Sequence, residues 1–132
     1  MTPAEHLYKA HAFERALAKL DPLEDGELYT VFLMRAGTNR LNAALHALGL
    51  TCADGPTPAQ LGDLNHTYKP KMLAPVPPSL QAAFTELAYI EDLRPDYSRG
   101  PRIVELSVAE RANAAYRRIV TDTDLVLKER AS

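Results

Sequence analysis

The stretch Gly26-Glu27-Leu28-Tyr29-Thr30-Val31-Phe32-Leu33-Met34-Arg35-Ala36-Gly37-Thr38-Asn39-Arg40-Leu41-Asn42-Ala43-Ala44-Leu45-His46-Ala47-Leu48 decides the fold. It contains no proline, and Leu28, Val31, Phe32, Leu41, Leu45 and Leu48 share one face at helical spacing. The spacing predicts a long helix from about Glu24 or Gly26 to Leu48, with Gly49 at the left-handed position that closes many helices. The middle of this helix, Arg35 to Arg40, is polar and holds Gly37. An internal glycine costs about 1 kcal/mol relative to alanine, so Gly37 reads as a kink, a close helix–helix contact or a harmless exposed position. Val31 to Met34 form a continuous apolar run around the helix. A helix apolar all round is central or lies at an interface, and the expectation drawn here is a homodimer.

Proline breaks helix interiors, so the ten prolines mark the other elements. A first helix is expected over Pro3 to Leu20, capped by Thr2 and Glu5 as a capping box, with Leu7, Ala10, Phe13, Leu17 and Leu20 as its apolar stripe. A third should span Ser79 to Leu93, where Pro95 stops it. A fourth should begin with Ser107 as N-cap and Glu110 as its capping partner, and run to about Lys128. Residues 51–78 hold six of the ten prolines and form a long connection, with one short helical turn expected over Pro58 to Leu64. Arg102 to Leu106 alternate like a strand but have no partner strand. The fold class is therefore all-α: one domain over 1–132, a four-helix up-down bundle with a long proline-rich loop between the second and third helices.

Composition narrows the function. The chain has 132 residues, and its 46% hydrophobic and 24% charged content is that of a globular domain rather than a disordered chain. A net charge of −2 gives no global basic field for nucleic acid, so any such binding needs a local patch. The single cysteine, Cys52, excludes an internal disulfide and a cysteine-based zinc cluster. No apolar run is long enough to span a bilayer, and a cytoplasmic protein is expected. His6, His11, His46 and His66 lack the Glu-x-x-His pairing of bundle metal centres and read as solvated or capping side chains, so neither a metal nor another cofactor is expected. No nucleophile elbow, Walker loop or Gly-x-Gly-x-x-Gly is present.

Two segments carry candidate chemistry. Arg94-Pro95-Asp96-Tyr97-Ser98-Arg99-Gly100-Pro101-Arg102 brings three arginines and a tyrosine together. Arginine forks suit phosphate or carboxylate, and tyrosine can stack on a base. Arg94, Tyr97, Arg99 and Arg102 are the candidate ligand-binding residues. The alternative is a structured loop in which Asp96 pairs with its own arginines and Tyr97 closes the core. A second basic cluster, His66 to Lys71, lies in the long loop. On the second helix, Arg40 and His46 could act as phosphate anchor and acid–base in RNA cleavage. Their six-residue spacing leaves them about 120° apart around the helix, which is awkward for that pairing.

The second helix, Asn39 to Leu50, the Arg94-Pro95-Asp96-Tyr97 step and the last helix beginning Ser107-Val108-Ala109-Glu110 together resemble the HEPN superfamily of small helical-bundle proteins. The resemblance implies a dimer and either nucleotide binding or the RNase activity of toxin–antitoxin pairs. In the family's RNases, an arginine and a histidine four to six residues on lie near the start of the last helix; here no histidine follows His66. The resemblance therefore implies a non-catalytic member. The expected function is a dimeric binding protein for a phosphate-bearing ligand such as a nucleotide or RNA, or for an acidic protein partner, with no catalytic residues. The alternatives are an RNase-like toxin using Arg40 and His46, and a purely structural interaction module.

Overall fold

Among the described residues the chain forms four helices and a π-helical turn: α1 (Pro3–Leu17), α2 (Gly26–Ala47), α3 (Pro78–Asp92), the π turn (Arg94–Ser98) and α4 (Leu106–Ala131). The structure is a computed structural model and describes residues 1–65, 72–98 and 100–131, apart from the side chain of Ser98. The fold is all-α, as the helical spacing predicts.

Local chemistry sets the boundaries. Thr2 Oγ1 accepts from the Glu5 amide at 3.2 Å while Glu5 accepts from the Thr2 amide at 2.8 Å, so the predicted capping box forms. At the far end of α2, Gly49 has φ +73°, and the Leu50 amide reaches back to the Leu45 carbonyl at 3.0 Å. A residue with a Cβ would be strained there, which is why glycine closes this helix. Other expectations shift: α1 ends at Leu17 rather than Leu20, and α4 runs on past Lys128 to Ala131. The α4 helix begins at Leu106, with the Ala109 amide bonded to the Glu105 carbonyl at 3.0 Å, so Ser107 lies inside the first turn and does not cap it. The helical turn expected over Pro58–Leu64 is absent; Thr57 Oγ1 instead accepts from the Ala59 and Gln60 amides and makes a side-chain turn. The alternating segment Arg102–Leu106 forms no strand.

The centre of the molecule is α2, which packs against α1, α3, α4 and the π turn. Leu33, Leu41 and Leu45 bury almost completely against Leu80, Leu87 and Ile90 of α3 and Ile119 of α4. Gly37 is the close contact among the readings considered for it: a Cβ there would lie 3.0 Å from Leu87 and 3.3 Å from Ile119. Within the apolar run Val31–Met34, Leu33 and Met34 lie in the core and Phe32 packs against Phe13 of α1 at a ring separation of 5.3 Å, while Val31 stays half-buried. The centrality of α2 explains the pattern that suggested an interface. Leu28, read as part of the inner face, is 46% exposed, because it lies in the first turn of α2. Arg111 of α4 forks onto Glu86 of α3 at 2.6 and 3.1 Å and stacks over Tyr89, tying those helices together at the surface. Among the described residues, no helix is long and apolar enough to cross a membrane.

Candidate functional site

The site is assembled around the part of the long loop that folds back on α2. Asn42, buried in α2, uses both ends of its carboxamide on one residue: its Nδ2 donates to the Leu64 carbonyl at 2.8 Å and its Oδ1 accepts from the Leu64 amide at 2.9 Å. Thr51 and Leu61 form a parallel bridge, and the Cys52 amide donates to the Leu61 carbonyl at 2.7 Å. These bonds fix the neighbouring residue, Asp63, over α1 and α2.

Asp63 Oδ1 lies 2.9 Å from His6 Nε2, on α1, and 2.7 Å from His46 Nε2, on α2. The imidazole rings are 5.2 Å apart and tilted by 46°. Each histidine's other nitrogen is also engaged, His6 Nδ1 with Asn39 Oδ1 at 2.8 Å and His46 Nδ1 with Thr51 Oγ1 at 2.6 Å. The amino group of Met1 donates to both Asp63 oxygens at 3.2 and 3.1 Å. Partial burial of Asp63 opposes its ionisation, but the bonds from His6, His46 and the amino group outweigh it and hold its carboxyl down to about 2. The two imidazoles are almost fully buried, at 3% and 1% side-chain exposure. The sequence reading of these histidines as solvated or capping is corrected on that ground: they meet at one carboxylate.

Beside this cluster opens a cleft of about 680 Å³, lined among others by His6, Asp63, Asn39, Lys9, Arg35 and Arg94. Lys9 comes from α1, Arg35 from α2 and Arg94 from the π turn. Among the described residues none of these three cations has an ion-pair partner. The Thr38 hydroxyl, also on the cleft wall, has no hydrogen-bond partner among the described residues.

The residues singled out from sequence are dispersed. Arg94 faces the cleft. Tyr97 is in the core at 8% exposure. Arg102 pairs with Asp96 at 3.6 Å, lies over the Tyr97 ring at 5.0 Å and stays outside the cleft. Arg99 and the cluster His66–Lys71 lie outside the described residues. Tyr97 and Arg102 thus follow the structured-loop alternative, and among the described candidates only Arg94 joins the cations of the cleft. Lys9 and Arg35 were missed by the sequence reading because nothing in their spacing links them to Arg94.

Arg40 and His46 are not brought together either. Arg40 is buried, with its guanidinium on Glu14 of α1 at 2.8 and 3.1 Å, Asp124 of α4 at 2.7 Å and the Tyr116 hydroxyl at 3.2 Å. Burial works against its charge, but the bonds and charges of Glu14 and Tyr116 together outweigh burial and raise its pKa; burial also pushes the Tyr116 hydroxyl up. A phosphate reaching Arg40 would have to displace Glu14. His46 is turned instead toward Asp63. No protein-family model, curated protein sequence or solved structure matches this chain.

Proposed function

We propose that the protein is a binding protein for a small phosphate-bearing ligand, taken up in the cleft between α1, α2 and the π turn. The observation that carries this is the convergence of Lys9, Arg35 and Arg94, from three separate elements, on one concave surface with no carboxylate partner among the described residues. Arginine forks bind phosphate oxygens two at a time, and lysine adds a mobile charge. The volume is within the range of small-ligand pockets and accommodates a mononucleotide. Asn39 and Thr38 supply a polar edge that can read a hydroxyl or base. This reading agrees with the non-catalytic side of the HEPN resemblance, in which nucleotide binding is one expected role.

Calorimetric titration of a nucleoside diphosphate into the full chain tests it. Wild-type protein should bind one equivalent, more weakly as salt rises. The double variant Arg35→Ala, Arg94→Ala should lose at least tenfold in affinity with its fold intact by circular dichroism. Undiminished binding by that variant removes the cleft from the account.

The dimer and protein-partner expectations find support in a different place. Val104 packs directly on Gly26, which brings the exposed side chains of Leu28, Ile103 and Leu106 to one end of the bundle. Apolar side chains gathered in this way favour self-association. Sedimentation at micromolar concentration should then show twice the 14.6 kDa chain mass, and Ile103→Glu should return it to the single chain.

A further inference from the structure

We infer that His6, His46 and Asp63 form a binding site for one divalent transition-metal ion of the zinc class. The hydrogen bonds of His6 carry the argument. Asn39 Nδ2 donates to the Arg35 carbonyl at 2.9 Å, which fixes the amide so that its oxygen faces His6. An amide oxygen only accepts, so His6 Nδ1 carries hydrogen. Nε2 is therefore the nitrogen left for a metal: once it gives up its own proton, as metal binding requires, its lone pair faces the Asp63 oxygen 2.9 Å away, which also only accepts. Two facing lone pairs at that distance repel. A cation between them turns the repulsion into two coordinate bonds.

His46 completes the set. Its Nε2 meets the same Asp63 oxygen at 2.7 Å, and Thr51 Oγ1 at its other nitrogen can donate or accept, so His46 is free to present its Nε2 lone pair. The donor atoms of the three side chains all lie within 4.8 Å of one another. Zinc ligands lie about 2.0–2.2 Å from the ion, so neighbours in a tetrahedral shell are about 3.3 Å apart. Asp63, 35% exposed, needs to move outward by about half an ångström to open that space. Two imidazoles and a carboxylate suit zinc, cobalt, nickel or iron(II) rather than calcium or magnesium. Asn39 and Thr51 orient the two rings from behind, as outer partners of metal-bound histidines do. His6 and Asp63 line the cleft, so the ion's remaining positions open onto it. The metal site stands independently of phosphate binding.

Cobalt(II) alone, titrated into the metal-stripped full chain at neutral pH and followed by visible absorption, tests the site. One ion per chain should bind with ligand-field bands in the visible, and zinc should displace it. Asp63→Ala should weaken binding at least a hundredfold, and Asn39→Ala, which touches no metal, about ten- to a hundredfold. Zinc added to wild-type protein should shift the ring resonances of His6 and His46 and leave those of His11 in place, a readout that needs no variant to fold. Absence of stoichiometric binding, affinity unchanged in Asp63→Ala, or ring shifts at His11 instead overturns the proposal; the cluster is then an imidazolium–carboxylate staple.

Discussion

Asn42 spends both ends of its carboxamide on the backbone of one residue, Leu64, and by doing so holds the loop that carries Asp63. Replacing Asn42 with alanine leaves the Leu64 amide and carbonyl buried without partners. We expect a loss of about 1–3 kcal/mol in urea denaturation, the usual cost of orphaning buried polar groups. Amide hydrogen exchange in residues 61–65 should quicken in the same variant, while exchange in α3 stays as in wild type.

Arg40 links α1, α2 and α4 through Glu14, Asp124 and Tyr116. Arg40→Ala should cost about 2–4 kcal/mol, mostly through the half-buried Glu14 arm, since more exposed partners such as Asp124 contribute little. Arg40→Lys should recover less than half of that, because an ammonium cannot fork onto one carboxylate while reaching the other two groups. Equilibrium melts of both variants check this. A lysine variant as stable as wild type would contradict it.

Much of this architecture was legible from spacing alone. The Thr2–Glu5 box, the closure of α2 at Gly49 and the core positions Leu41, Leu45, Leu87 and Ile119 follow from local chemistry and helical period. The centrality of α2 was legible too, but Val31–Met34 could not say whether α1 and α4 or a second copy covers them. The π turn escaped, because Pro95 reads as a stop and wide turns have no sequence signature. Escaping for a different reason, His6, His46 and Asp63 come from α1, α2 and a loop, at separations that match no ligand motif. The Asn42–Leu64 clamp and the Thr51–Leu61 bridge bring the third of them in, and a buried asparagine in an apolar helix was the one local hint of it.

The depressed Asp63 carboxyl sets a pH dependence. Its ordinary value is 3.8 and the folded value is about 2, so its stabilising contribution is present above 3.8 and disappears as the pH falls toward 2. With Asp63 35% exposed, water screens the pair and the contribution is about 1 kcal/mol. Asp63→Asn should therefore flatten the acid limb of stability against pH between 5 and 2, measured by urea midpoints. Parallel curves for variant and wild type would count against the geometry.

Leu45 is fully buried on α2. Leu45→Ala should cost about 2–5 kcal/mol through the cavity it leaves. Arg102→Ala, at an exposed ion pair, should change stability by less than about 0.5 kcal/mol and leave nucleotide affinity intact, in contrast with Arg94→Ala.

The cleft itself is tested most directly by amide and side-chain chemical-shift mapping with inorganic pyrophosphate. The account predicts saturable shifts at Lys9, Arg35, Thr38, Asn39 and Arg94, reduced by salt, with Ile103 to Leu106 unmoved. Shifts confined to Arg102 and its neighbours, or no saturable shifts at all, would contradict it.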